Sequence, residues 1–302
     1  MSVLPVDSVT GNTTRPGVPV PSASHGAFAV GLFTLAAALL VNTALGPLGT
    51  ETIEYPISGT LLNQTIGLEA VTVALVVPLT LIAGLLALRG HGAAPLLGFG
   101  PAAYSAYMFV QYVLGPEYER YTSAVLFQTV IFALSGALTV WAWTLACQQP
   151  MPHLTSRRRR VYGALLLALG AFIVSRYLPV ILGAALPSEF AEARTFFWSI
   201  FLLDLGVVVP ATLVAGIALL RGAGLAHPAL YALMGWYALV PPSVAAMSAT
   251  MVVNEDPHAA PAQAIMFSLV ATIFAGVAVW IFLPLLRSQP TDIQHVGRDS
   301  SR

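Results

Sequence analysis

The sequence predicts an all-α protein: a polytopic membrane helix bundle with eight transmembrane helices, arranged as two parallel four-helix repeats with both termini cytoplasmic. Three observations lead to this prediction. Of the 302 residues, 57% are hydrophobic and only 9% are charged, whereas about 25% of the residues in an ordinary soluble domain are charged. The chain also contains eight long apolar stretches, and one segment of the second stretch recurs in the sixth.

Each apolar stretch is long enough to cross a bilayer, which takes about 20 predominantly apolar residues. Each stretch contains few charged residues or none. The eight predicted spans are 26–46, 67–88, 95–115, 122–147, 161–186, 196–220, 228–250 and 262–286.

Arginine is concentrated in every second loop, which supports the count of eight spans. These loops contain Arg89, Arg157, Arg158, Arg159, Arg160, Arg221 and Arg287. The intervening loops are acidic, with Arg120 and Arg194 as their basic residues. Because cytoplasmic loops carry the excess of basic residues, both termini are predicted to be cytoplasmic. All 13 basic residues are arginine, which is typical of a GC-rich genome and indicates a bacterial inner or plasma membrane.

The domain organisation follows from the spans. The first 24 residues are rich in Pro, Ser, Thr and Gly, a composition typical of disordered segments. The alternative, a cleaved signal peptide, is disfavoured because it would need a basic segment beside a short apolar run. The predicted organisation is a disordered cytoplasmic tail (1–24), a first four-helix repeat (25–147), a basic cytoplasmic loop (148–160), a second four-helix repeat (161–287) and a second cytoplasmic tail (288–302).

The repeat is clearest in the second and sixth spans. VVPLTLIAGLLALRGHG occupies 76–92 and VVPATLVAGIALLRGAG occupies 208–224, with 11 of 17 positions identical at an offset of 132 residues. Because each predicted repeat has an even number of helices, the two halves would be parallel, as in some transporters. Two similar helix ends, each with a proline kink and an Arg-Gly stop, are the alternative interpretation.

Three ionisable residues lie within the predicted spans, where such residues are functional candidates by default. They are Glu69, Arg176 and Asp204. Arg176 and Asp204 lie about 15 Å and about 12 Å from the outer ends of their predicted helices, at 1.5 Å per residue. Because the fifth and sixth spans are consecutive, they are expected to be neighbours. A buried Arg176–Asp204 ion pair is therefore predicted.

Other polar side chains lie in the outer halves of the spans. They are Asn42, Gln111, Gln128, Ser199 and Ser243. Because the inner halves are almost entirely apolar, we interpret these residues as the lining of an outward-facing polar pocket that binds a ligand or a proton. A purely structural role is the alternative, in which the polar groups hydrogen-bond across helix interfaces and Arg176–Asp204 joins two helices.

The seventh span contains Pro241 and Pro242, which remove two backbone donors and must kink or unwind the helix. Discontinuous helices mark the binding sites of many transporters, so this break is a candidate gate. A static kink is the alternative. Pro78 and Pro210 are also expected to kink the second and sixth spans.

The sequence excludes several kinds of chemistry. The absence of lysine excludes a retinal or pyridoxal Schiff base and a P-loop, and the single Cys147 excludes disulfides and CxxC sites. No histidine lies mid-span, and hydrolase, metalloprotease and selectivity-filter motifs are missing. We therefore predict no cofactor, no metal site and no catalytic residue. The NEDPH turn around His258 is interpreted as a solvated loop.

Parts of the chain resemble a loose group of uncharacterised bacterial eight-helix multi-pass membrane proteins. The resemblance covers Glu69 to Gly90, the third span with Tyr104, Tyr107 and Tyr112, and Asp204 to Gly222. The first and last of these segments share an acidic residue, an apolar run with proline and an Arg-Gly stop, and the third span is rich in tyrosine. The resemblance implies the eight-helix architecture and carries no known activity.

Three classes of function remain open at this stage. The first is a transporter or binding protein for a small solute, in which Arg176 binds an anionic group and Asp204 and Glu69 titrate. The second is an intramembrane enzyme that acts on a lipid or isoprenoid, with Asp204 or Glu69 as general acid. The third is an accessory or scaffold subunit. The expected partners are the lipid bilayer and a small anionic or lipophilic ligand, with no nucleic acid.

Overall fold

The computed structural model describes residues 22–287, apart from residues 153 and 192. The predicted tail 288–302 and most of the tail 1–24 lie outside these residues. Within them the chain is entirely helical and loop, without strands. The helices are α1 (Ser22–Leu45), α2 (Gly59–Val71), α3 (Val77–Leu88), α4 (Ala94–Leu114), α5 (Ser123–Ala146), α6 (Ser156–Ile181), α7 (Arg194–Leu203), α8 (Val209–Arg221), α9 (Ala226–Tyr237), α10 (Val240–Val253) and α11 (Pro261–Arg287).

Every predicted span is helical, and seven helical segments of the described chain are long and apolar enough to cross a membrane. The protein is therefore a multi-pass membrane protein. The third predicted span, α4, is a helix of 21 residues, but tyrosine, glutamine and serine side chains lower its hydropathy. Most of these polar side chains are buried, because α4 packs against α3, α5, α7 and α9 at the centre of the bundle.

Two spans contain a π-helical turn just before a proline. In the second span the turn covers Thr72–Val76 and joins α2 to α3, and in the sixth span it covers Asp204–Val208 and joins α7 to α8. The wider turn closes with a bond from the Val77 amide to the Thr72 carbonyl, and its counterpart runs from Val209 to Asp204. A π-turn is one of the ordinary causes of a helix kink.

The seventh span is interrupted, as its proline pair predicts. Helix α9 ends at Tyr237, and α10 begins at Val240, so the break falls at 238–239. Pro241 and Pro242 then occupy the first turn of α10, where a missing amide proton is tolerated. The proline-induced break is confirmed, whereas its role as a gate stays a prediction.

Two predicted boundaries are wrong. The second span begins at Gly59 rather than at 67, because Ser58 caps the helix through the Leu61 amide at 3.4 Å. The fifth span runs from Ser156 to Ile181 rather than from 161 to 186. The four arginines at 157–160 therefore form the first turns of α6, behind a Thr155 cap, instead of lying in the loop.

The helices pack both against neighbours in the chain and against helices distant in sequence. Helix α1 lies against α3 and α5, α6 lies against α8, and α10 lies against α2 and α11. Small residues allow close backbone approach where helices cross. A Cβ on Gly67 would lie 2.6 Å from the Ala246 backbone, and one on Gly100 would lie 2.7 Å from Gly235. The α2–α10 and α4–α9 crossings therefore hold the centre of the bundle together.

Candidate functional site

The first part of the site is built around Asp204, which begins the π-turn of the sixth span. Its side chain is buried. One carboxylate oxygen accepts a hydrogen bond of 2.9 Å from the Tyr107 hydroxyl of α4, and the other accepts one of 2.5 Å from the Tyr177 hydroxyl of α6. Three helices therefore converge on one buried acidic group. Burial of this carboxylate is tolerable because both oxygens have donors.

The predicted Arg176–Asp204 ion pair is wrong. Within the described residues, no arginine nitrogen lies within 4.0 Å of the Asp204 carboxylate. Arg176 is exposed on α6, five residues before that helix ends at Ile181, or about 7.5 Å along the axis. The Tyr177 hydroxyl, on the adjacent residue, bonds Asp204 instead, while the Arg176 charge acts on Asp204 only from beyond ion-pair distance. The prediction that the fifth and sixth spans are neighbours is confirmed.

The second part of the site surrounds Glu69 of α2, which is 1% exposed. Its Oε2 atom accepts a hydrogen bond of 2.9 Å from the Leu48 amide, whereas its Oε1 atom has no hydrogen-bond partner among the described residues. Glu69 lines a cavity of about 10 Å³ between α1, the second span and α4. The other polar residues that line it are Asn42, Thr43, Thr72, Tyr104, Ser105 and Tyr112.

The loop between α1 and α2, residues 46–58, reaches Glu69 through the Leu48 amide. Its backbone folds back on the end of α1, with Thr50 bonded to the Ala44 carbonyl at 2.9 Å and Ile53 bonded to the Leu45 carbonyl at 2.7 Å. Ile53 and Tyr55 are buried against the bundle. The outward-facing polar pocket stays a prediction.

Two further predicted residues adjoin the Glu69 cavity. Gln128 of α5 donates to the Tyr55 hydroxyl at 2.9 Å and to the Asn42 side chain at 3.5 Å. Asn42 itself lines the cavity. The structure thus brings Glu69, Asn42 and Gln128 into one polar cluster, with Tyr55 as a member that the sequence reasoning missed.

The remaining candidates lie apart from the cavity. Gln111 is buried on α4 but does not line the cavity, and Ser199 bonds the Phe196 carbonyl at 2.8 Å on its own helix. Ser243 follows the proline pair, and its hydroxyl is 2.6 Å from that of Tyr104. Tyr104 lines the cavity, so the break in the seventh span is connected to the Glu69 cavity by one hydrogen bond.

Tyrosines are the site residues that the sequence indicates least. For Tyr104 and Tyr107 of the third span the sequence favours ordinary packing over a place in the pocket lining, and it assigns no role to Tyr177. In the structure the Tyr107 and Tyr177 hydroxyls bond Asp204, whereas Tyr104 bonds Ser243 and lines the Glu69 cavity. One available signal was the position of Tyr177 in the polar segment SRYLP of the fifth span.

The NEDPH turn is ordered by Asp256 instead of being fully solvated. Asp256 is buried and accepts hydrogen bonds from Thr60 at 3.1 Å, Asn63 at 2.8 Å and the His258 amide at 2.8 Å. Burial opposes ionisation, but these hydrogen bonds and the His258 ring prevail and lower the pKa of Asp256. The described residues contain no group of three or more His, Cys, Asp or Glu side chains placed to hold a metal.

Comparison with protein-family models, with curated proteins and with solved structures gives no match for this chain. The resemblance to bacterial eight-helix membrane proteins therefore stays an expectation, and the functional conclusion depends on the site alone.

Proposed function

We propose that this multi-pass membrane protein is a transporter or binding protein for a small solute, with Asp204 at its working centre. The observation that carries the proposal is the convergence of α4, α6 and the sixth span on one buried carboxylate held by two tyrosine hydroxyls. A charged group in the membrane interior is costly. Protonation would turn one carboxylate oxygen into a hydroxyl and weaken the hydrogen bonds that both tyrosines donate, which would alter the contacts between three helices.

Helix breaks near the acidic groups support movement at this centre. Asp204 opens one π-turn, and Glu69 lies three residues before the other. The seventh span is broken beside Ser243, which is bonded to Tyr104. π-turns occur frequently at functional sites, and interrupted helices lie at the binding sites of many transporters. The small Glu69 cavity also favours a small occupant over a lipid chain.

We further propose that the two halves arose by tandem duplication. The π-turns begin at Thr72 and Asp204, which are 132 residues apart, the same offset as the repeated sequence. The first and second helices of each half pack together, as α1 with α3 and α6 with α8. The outer segment of each second helix also packs against the opposite half, as α2 with α10 and α7 with α4.

In this proposal Arg176 selects the solute. It lies one residue from Tyr177, is exposed, and forms no ion pair within the described residues. Its guanidinium can receive an anionic group from the outer side, since planar guanidinium groups bind carboxylates in a bidentate manner. A small organic anion is therefore the solute class that the charges favour.

The test is uptake into proteoliposomes that contain the full chain and an entrapped pH dye. Radiolabelled small carboxylates and amino acids are supplied one at a time. We expect the wild type to accumulate at least one of them and D204N to accumulate none. E119Q, which neutralises an exposed acidic residue, is the matched control and should behave as wild type. Wild-type uptake by folded D204N protein would refute the proposal.

A further inference from the structure

We infer that the Glu69 cavity is a binding site for a small monovalent cation of the size of Na⁺. This deepens the proposed function, on which the coupling role of the ion rests, although ion binding itself requires no transport. The inference starts from a charge that lacks a counter-charge. Glu69 is buried, and within the described residues no arginine or histidine nitrogen lies within 4.0 Å of its carboxylate. A buried carboxylate without compensation is strongly unfavourable.

The oxygens around the cavity form an acceptor-rich environment. The Thr72 hydroxyl donates its proton to the Leu68 carbonyl at 2.9 Å, and the Ser105 hydroxyl donates to the Pro101 carbonyl at 2.8 Å. The lone pairs of both oxygens stay available, while their protons are committed elsewhere. Hard cations prefer oxygen ligands of these kinds, namely carboxylate, hydroxyl and amide oxygens.

The spacing of the oxygens also favours an ion over a shared proton. The Oε1 atom of Glu69 has no hydrogen-bond partner, so no lining hydroxyl is close enough to accept a proton from it directly. Oxygens that share a cavity without bonding one another leave room for an occupant between them. The cavity of about 10 Å³ admits one small occupant.

The number of carboxylates at the cavity indicates the charge of the ion that it binds. Among the described residues, Glu69 is the one acidic side chain that lines the cavity, whereas divalent cations take several carboxylates or keep much of their water shell. A monovalent ion neutralises the site with no residual charge. Closure by residues 46–58 would shield the bound ion from bulk water.

The experiment uses the purified full chain in detergent. Equilibrium binding of ²²Na⁺ is measured, together with thermal unfolding in NaCl and in choline chloride at equal ionic strength and pH. We expect saturable binding of about one ion per chain and a higher Tm in NaCl, because a ligand that binds only the native state stabilises it. Equal Tm values in the two salts together with no saturable binding would overturn the inference and leave a water-filled cavity.

Variants assign the ion to this cavity. E69Q should weaken Na⁺ binding by more than about tenfold, given that loss of supporting groups alone costs ten- to a hundredfold in metal sites. S105A, a smaller change to the same cavity, should weaken it less. E119Q neutralises an exposed carboxylate and should bind Na⁺ as wild type does. Wild-type binding by both E69Q and S105A would overturn the assignment.

The outcomes separate this inference from the proposed function. A chain that binds Na⁺ through Glu69 but accumulates no solute would support the ion site and refute the transporter. Solute uptake by a chain without saturable Na⁺ binding would support the transporter and refute the ion site. Asp204 would then remain as the coupling group.

Discussion

At the scale of single residues, the two acids buried within the membrane spans are accommodated in different ways. Asp204 has a tyrosine hydroxyl on each carboxylate oxygen, whereas Glu69 has one backbone donor and an oxygen that faces a cavity. Both oxygens of Asp204 therefore have hydrogen-bond donors within the protein, whereas one oxygen of Glu69 still needs a partner. This difference is why we assign a structural and switching role to the tyrosines and an ion to Glu69.

The tyrosine bonds can be tested by removing one hydroxyl. We expect Y177F to lower the free energy of unfolding by about 1–3 kcal/mol, because one oxygen of a buried carboxylate would lose its donor. Detergent-induced unfolding followed by tryptophan fluorescence measures this. Tyr121 is 75% exposed, so Y121F is the matched control and should unfold as wild type. Equal stability of Y177F and wild type would show that the hydroxyl is dispensable.

The sequence identified the buried acidic residues but not their partners. Glu69 and Asp204 were predictable because an ionisable residue in an apolar run is conspicuous. The partner of Asp204 was mistaken because the depth of Arg176 was estimated from a predicted helix end at 186, whereas the helix ends at Ile181. A hydropathy pattern also does not show which of two adjacent side chains will bond the carboxylate, and here it is Tyr177.

At the scale of helices, apolar length predicted every span but not the internal breaks or all of the ends. Helix α2 extends outward from the apolar run by the polar segment at its start, which packs on α10. Hydropathy does not detect such an extension, since it is stabilised by a cap and by tertiary contacts. The prolines predicted kinks, but they did not distinguish a π-turn from a full interruption.

The α2–α10 crossing provides a test at this scale. We expect G67A to lower the free energy of unfolding by about 1–3 kcal/mol, because the added methyl group would force the two helices apart. A Cβ on Gly136, in the middle of α5, meets nothing within 4 Å, so G136A is the control. The same unfolding assay compares them. A destabilised G136A with an unaffected G67A would contradict this view of the crossing.

At the scale of the whole molecule, apolar side chains cover much of the outer surface of the bundle. Val130, Phe172, Ile265, Leu269 and Ile273 are all more than half exposed, on α5, α6 and α11. Such a surface suits contact with lipid. The orientation of the bundle in the membrane, in contrast, was predicted from the placement of arginine alone, and the fold by itself does not choose between the two directions.

The orientation can be measured through the single cysteine. Cys147 is exposed at the end of α5, on the side that the arginines predict to be cytoplasmic. Partial burial raises the pKa of the Cys147 thiol. Because the thiolate is the reactive form, labelling is best done above neutral pH. We expect a membrane-impermeant maleimide to label Cys147 in inside-out vesicles and not in right-side-out vesicles.

A matched variant should be labelled from the opposite side of the membrane. Replacing Cys147 by serine and Glu119 by cysteine moves the thiol to the opposite loop, at another exposed position. This variant should be labelled only in right-side-out vesicles. Labelling of Cys147 from the outside would invert the topology and place the Glu69 cavity near the cytoplasm.

The loop 46–58 has a kinetic consequence for any occupant of the Glu69 cavity. Because the Leu48 amide of this loop is bonded to Glu69 and the loop backbone is bonded to the end of α1, we expect exchange at Glu69 to require this loop to lift. The observed association rate should therefore level off at high ligand concentration, at the opening rate of the loop. Residence time would then depend on the stability of the loop as well as on affinity, so that a loosened loop would speed arrival and departure together.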